Sequence, residues 1–563
     1  SDLLLDNSAG GRLAAGGDMH LQAARLDNRR GVIEHAGEGG LNVAVTELLG
    51  ADGSMVSNGN LSLEGDAIDL QGATTQARKL KITANALTTA QGSVVSTGSD
   101  ALQLQVRDAL NNDGGAIAAN GALALSAGTL SNRQGTLSSA GTAASSIDVS
   151  GQLDNTSGSI ASNADLLGLS SGSLVNAQGM ISHAGSQELQ LTTGKLDGQQ
   201  GSIVTAAALT LNAGVVDHRA ATLNANQLTL NAAAFDNRDG TLVMTGDQAN
   251  TLDVQGLLDN GDGGALASNG DLTLRAASFG NAAGTVQHAG SGTLAITAAT
   301  LAGNAGSLLS NGSLNISGQV TDLRDGTTSA QRINVQTGDL TTAGGQLAST
   351  STDALLLQVR NRLDNSGGIG SNGGIDLRAA TFVNNQGTVQ APGVAASSVV
   401  VSGAMENRGG IVVTAGDTTV QAKALDNRGG TLHVAGDSTL ALSVDGLLDN
   451  RQQGTVSSGG DAVVTAGRLD NTQGTVAAAQ ALTLTSQAGI DNAGGIVQAG
   501  QELQLSADGL ANAGGNVIAA KATIDTRGQL LDNSDGTIAS LEDGLTINSG
   551  TLQNNAGLIQ SAA

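Results

Sequence analysis

The sequence predicts an all-β fold, a right-handed parallel β-helix (a solenoid) with about 21 residues per coil and roughly 26 coils. Three observations predict it. A triad of an apolar residue, then Asp or a small residue, then Asn returns at a near-constant interval. Between triads, apolar and polar residues alternate with period two, the mark of half-buried strands. Finally, 82 of 563 residues are Gly, Trp, Tyr and Cys are absent and Phe occurs three times. The core must therefore come from small, repeated cross-sections of Ala, Leu, Val and Ile, which favours a thin rod over a ball.

The triad is clearest near the C-terminal end, at Leu425-Asp426-Asn427, Leu448-Asp449-Asn450, Leu469-Asp470-Asn471, Ile490-Asp491-Asn492, Leu510-Ala511-Asn512, Leu531-Asp532-Asn533 and Leu552-Gln553-Asn554. Successive separations are 23, 21, 21, 20, 21 and 21 residues. The same phase runs back through Leu363, Phe279, Leu258, Leu174, Leu153, Leu130, Leu110 and Leu26 to Leu5, with weaker matches between.

One unit shows the local chemistry. After Leu425-Asp426-Asn427 come Arg428-Gly429-Gly430, the alternating run Thr431-Leu432-His433-Val434, a turn at Ala435-Gly436-Asp437, and a second run at Ser438-Thr439-Leu440-Ala441-Leu442. Gly, Asn and Asp between the runs are expected to supply positive-φ and tight-turn conformations. A helical leucine-rich repeat would need a stretch of 3.6-residue periodicity, and none is visible. Three short strands and their corners thus make one coil. Each strand lies about 4.8 Å from its parallel equivalent in the next coil, giving a length on the order of 125 Å. Crossover connections between parallel strands favour right-handed winding.

Stacking assigns roles within the triad. Phe235, Phe279, Phe382 and Met405 all occupy its apolar position, so this inward site is expected to tolerate extra volume. The triad Asn, two residues on, should point the same way and form an amide ladder along the axis. The expected structural ladder comprises Leu425, Asn427, Leu448, Asn450, Leu469, Asn471, Ile490, Asn492, Leu531 and Asn533. Asp in the middle is expected to face water, where stacked carboxylates repel by roughly 0.9 kcal/mol. Arg428 and Arg451 would relieve part of that repulsion.

A longer period overlies the coils. Residues 87–115 (LTTAQGSVVSTGSDALQLQVRDALNNDGG) and 340–368 (LTTAGGQLASTSTDALLLQVRNRLDNSGG) lie 253 residues apart, as do His35 and His288. The expectation is a single solenoid, 1–563, containing a block duplication at approximately 1–253 and 254–505 with a partial remainder. The sole proline, Pro392, falls in a turn where a missing N–H costs least. Ser1-Asp2-Leu3-Leu4-Leu5-Asp6-Asn7 is already in the repeat and Leu558-Ile559-Gln560-Ser561-Ala562-Ala563 stops inside it, so the chain reads as part of a longer one.

Charge narrows the function classes. With 25 basic and 49 acidic residues the net charge is −24, which argues against nucleic acid and against electrostatic attraction to anionic lipid. No apolar run approaches the roughly 18 residues of a spanning helix. His20, His35, His183, His218, His288 and His433 lack ligand spacing, there is no Cys to join them, and they are expected to be exposed or at corners. The glycine-aspartate motif of calcium-binding β-rolls is absent. Arg29-Arg30 and Arg78-Lys79-Leu80-Lys81 read as solvated faces, and Gly263-Gly264 as a corner without a phosphate loop's Lys. A polysaccharide lyase or hydrolase would break the repeat with long loops and uniquely placed charges. Here acidic residues recur with the coil, so no catalytic, cofactor or metal residues are expected. Direct adhesion through a flat β-face is the alternative, and the scarcity of exposed aromatics and Arg ranks it second.

The repeated motif, LDNRGGTL at 425–432 with a second apolar run and a return to LDN at 448, resembles the filamentous haemagglutinin-type repeats of bacterial two-partner secretion exoproteins. Those include adhesins and contact-dependent growth inhibition proteins. The resemblance covers nearly the whole chain. It implies a right-handed β-helix exported unfolded through an outer-membrane partner transporter and displayed on, or secreted from, the cell surface. It further implies a non-enzymatic stalk, with receptor-binding or toxin regions and their partners outside this segment.

Overall fold

Period-two alternation drives the apolar runs into strands, with turns between them. The computed structural model describes residues 3–562, which leaves Ser1, Asp2 and Ala563 of the terminal repeats outside the described residues. The chain divides into two units, one running to Gly280 together with Gly284–Gly290, the other comprising Asn281–Ala283 and Ser291 onward. Each is a parallel β-solenoid with no helix among the described residues. Between them they hold about 27 turns of about 21 residues, as 26 sequence steps require.

A coil contains a four-residue strand and a longer one that bends. Thr431–Val434 is followed by Leu440–Asp449 in one such coil. Thr431 pairs in parallel with Thr455 and Leu432 with Val456 on the next turn. The long strand pairs as Leu440↔Ala462 and Leu448↔Leu469, with a register shift between Val444 and Leu447 that marks its corner. In other coils that corner divides the strand, as in Leu355–Val359 and Arg362–Asp364. Three faces per coil result.

Alternate residues of each face point inward. Leu432, Val434, Leu440, Leu442, Val444 and Leu448 are buried to 2% exposure or less, and a side chain facing the other way would meet water. Phe235, Phe279 and Phe382 are among the largest fully buried side chains. Phe235 aligns with Val216 on one side and Leu258 on the other, so aliphatic neighbours on adjacent turns accommodate the larger ring.

Candidate functional site

The feature that repeats through both units is the triad corner. Its apolar residue is buried, with Leu425 at 1%, Leu448, Leu469 and Leu531 at 0%, and Ile490 at 2%. Its Asn is buried at 0% in Asn427, Asn450, Asn471, Asn492 and Asn533. Each Asn backbone N–H donates to the carbonyl of the middle residue one turn on, as Asn427 does to Asp449 at 2.7 Å.

The Asn side chains bond to one another along the axis. Asn365 Nδ2 donates to Asn384 Oδ1, and the relay continues through Asn407, Asn427, Asn450, Asn471, Asn492, Asn512 and Asn533 to Asn554 with every step 2.6–2.7 Å. In the first unit Asn112, Asn132, Asn155 and Asn176 form a shorter run at 2.7 Å. The second Nδ2 hydrogen reaches carbonyls, as from Asn427 to Gly430 at 3.2 Å and Thr455 at 3.1 Å. An amide has one acceptor oxygen and two donor hydrogens, and this corner uses all of them.

The ladder position is not always Asn. Gly50, Leu70, Gly198, Gly303 and Leu323 make the same backbone bond to the next turn but carry no amide. Thr89 and Thr342 substitute a hydroxyl, donating to Asn112 Oδ1 at 2.8 Å and Asn365 Oδ1 at 2.6 Å.

The glycine pair after the triad serves two different needs. Gly429 has φ +62°, a left-handed conformation that Gln452 and Ala220 also adopt on other turns. Gly430 has no such φ; a Cβ there would overlap the Asn407 carbonyl oxygen and lie 2.7 Å from Asn427 Oδ1. The left-handed residue therefore tolerates side chains, whereas the glycine that follows clears the amide ladder. Of the expected Gly, Asn and Asp, Gly and Asp adopt positive φ and, among the described residues, Asn does not; Gln, Ala, Arg and Ser adopt it as well, each at a left-handed cost of roughly 1–2 kcal/mol.

The middle Asp does not simply face water. Its side-chain exposure is 19% for Asp426, 7% for Asp449 and 11% for Asp27. The cause is local: Asp426 Oδ1 accepts from the Arg428 backbone N–H at 3.3 Å and from Arg428 Nε at 2.9 Å. Arg428 also reaches Asp449 on the next turn at 3.5 Å, and Arg451 spans Asp449 (2.8 Å) and Asp470 (3.5 Å) in the same way. Interleaved guanidiniums thus make a half-buried acidic column stable. Burial would raise the Asp426 pKa, but hydrogen bonds from Arg428 and Arg408 outweigh it and hold the group at about 2.

The histidines also depart from expectation. His20 is exposed and His433 half-buried, but His35, His183, His218 and His288 are buried at 1–2%. A neutral imidazole can be satisfied inside. His183 Nδ1 lies 2.9 Å from Thr205 Oγ1 and its Nε2 2.7 Å from Ala164 O. His218 occupies the ladder position itself, donating from Nδ1 to Asn237 Oδ1 at 2.7 Å and stacking on Phe235 with ring centroids 5.9 Å apart. Burial lowers its pKa. The missed signal was His-Ala-Gly at 35–37, 183–185 and 288–290, where the glycine makes room for the ring: a Cβ on Gly185 would lie 2.7 Å from His183 Nε2.

Outside the ladder, shallow grooves follow the bend of the long strand. One is lined by Glu64, Asp66, Gln105 and Arg107, another by Gln358, Arg360, Asp376 and Arg378. Two of their carboxylates are engaged: Asp66 accepts from Asn85 at 2.9 Å and Asp376 pairs with Arg378 at 3.4 Å. Among the described residues, no group of three or more His, Asp or Glu side chains is placed to hold a metal ion.

A family model described as Haemagglutinin repeat matches the chain in overlapping segments, 3–46, 36–105, 99–157, 142–188, 184–262, 243–299, 289–359, 358–409, 396–452, 433–494, 484–556 and 530–563. The chain belongs to this family. Comparison with curated proteins and with solved structures returned no match.

Proposed function

We propose that this chain is a structural stalk segment of a large bacterial surface or secreted exoprotein, setting distance for binding or toxin regions elsewhere in the parent chain. The observation that carries this reading is the unbroken amide relay from Asn365 to Asn554, in which each turn repeats the same inner chemistry. Such a layout stabilises length and builds no unique reactive centre. Family membership supports export by a two-partner route, with an outer-membrane transporter as the transient partner, and a role in adhesion or contact-dependent growth inhibition.

Block duplication is part of the proposal. The ladder interruptions Gly50, Leu70 and Thr89 recur as Gly303, Leu323 and Thr342, and 303 − 50, 323 − 70 and 342 − 89 are each 253. Copying whole blocks lengthens a stalk without altering its turns.

The test is excision of whole coils from within Asn365–Asn554 of the parent protein. Surface presentation should persist, with reach shortened in proportion to the coils removed. Loss of ligand binding on removing one particular set of coils, with presentation intact, would select direct adhesion by that face instead.

A further inference from the structure

We propose that Asn120 and Asn269 are sites of spontaneous deamidation in the folded protein, while Asn58 and Asn372, in the same kind of corner, are protected by a hydroxyl clamp. Asn-Gly occurs at 58–59, 120–121, 260–261, 269–270, 311–312 and 372–373. The reaction begins when the glycine backbone nitrogen attacks the Asn side-chain carbonyl carbon. The new N–Cγ bond forms as the Cγ–Nδ2 bond breaks, and ammonia leaves with the proton shed by the nitrogen. Water then opens the cyclic imide at either carbonyl, leaving aspartate or isoaspartate. No other reactant is needed.

The fold restrains the attacking nitrogen unequally. Gly59, Gly312 and Gly373 donate their N–H to the Oγ of the inward serine two residues back, Ser57, Ser310 and Ser371, at 3.1–3.2 Å. Gly261 donates to Asp259 Oδ1 at 3.0 Å. A nitrogen whose hydrogen is held this way is fixed in place and is slow to deprotonate and turn toward the amide. At Asn120 the inward residue is Ala119, which has no oxygen to offer. At Asn269 the serine is present but turned to the other end of the glycine: Ser268 Oγ donates to the Gly270 carbonyl at 2.6 Å and accepts from Asn250 Nδ2 at 3.1 Å. Thus Ser-Asn-Gly at 57–59, 268–270, 310–312 and 371–373 is identical in sequence, yet at 268–270 the serine donates to the glycine carbonyl where the other three accept from the glycine N–H.

The outcome alters the coil. Asn120 and Asn269 are exposed, and their Nδ2 groups tie successive turns by donating to Thr97 O at 2.9 Å and Thr245 O at 2.8 Å. Conversion replaces that donor with a carboxylate facing a carbonyl, so an inter-turn bond becomes a repulsion.

The test is incubation of the intact folded chain at mildly alkaline pH, followed by peptide mapping that separates Asn, Asp and isoaspartate. Asn120 and Asn269 should convert at least several-fold faster than Asn58 and Asn372, and the difference should vanish in denaturant, where every site is simply Asn-Gly. Ala119 aligns with Ser96 and Ser139 on adjacent turns, so Ala119→Ser fits the column and should slow Asn120. Ser371→Ala should speed Asn372. Equal rates at all four sites in the folded chain, persistence of the ranking in denaturant, or unchanged rates in both variants would overturn the proposal.

Discussion

Removing one rung of the amide ladder should open the turns on either side of it. In Asn450→Ala the donations to Asn471 Oδ1 (2.7 Å) and Thr475 O (2.9 Å) vanish, as does the bond accepted from Asn427 (2.7 Å). Asn427 Nδ2 keeps its carbonyl partners, but Asn471 Oδ1 becomes a buried acceptor with no donor. One orphaned acceptor costs about 1–3 kcal/mol, and the lost bonds and residual void bring the total to about 3 kcal/mol. Asn450→Thr should cost only about 1 kcal/mol, because a hydroxyl can accept from one neighbour and donate to the other, as Thr342 does toward Asn365. The assay is native-state hydrogen exchange of Leu440–Asp449 and Ala462–Asp470, since local opening in a repeat array is not one global transition. Loss of about 3 kcal/mol corresponds to exchange faster by on the order of a hundredfold. Unchanged exchange in the alanine variant, or equal damage by threonine, would refute the claim that the relay holds adjacent turns together.

Gly430→Ala should cost several kcal/mol through overlap with the Asn407 carbonyl, while Gly429→Ala should cost only about 1–2 kcal/mol, the left-handed penalty; their ranking in thermal unfolding checks the assignment. Because the folded pKa of Asp426 is depressed to about 2, its stabilisation is complete above the unfolded value near ~3.9 and disappears as pH falls through about 2. Asp426→Asn should weaken that acid dependence, measured by urea unfolding across the range. Buried His218, with its pKa lowered by desolvation, gives the opposite group type but the same sign: the unfolded state binds the proton more tightly, so stability falls as pH drops below ~6.5. His218→Asn should restore an ordinary rung and flatten the pH dependence of exchange at Ala208–Asp217.

Much of the fold was legible from sequence because its strongest signals are periodic. Repetition near 21 residues gives the coil, alternation gives the faces, and the Leu-x-Asn spacing puts two side chains on one side of a strand. What the sequence alone determined was therefore the architecture and the inward or outward sense of most residues. Only the tertiary structure decided many of the partners, because much of what a side chain meets lies about one turn, or roughly 21 residues, away. Asp426 is half-buried because Arg428 and Arg408 close over it. His218 can be buried because Asn237 of the following turn accepts a hydrogen bond from its ring N–H. Gly430 is required by the ladder residue Asn407 and not by its own backbone angle. Four copies of Ser-Asn-Gly separate into three clamped corners and one unclamped: periodicity states where a side chain points, and stacking determines what it finds there.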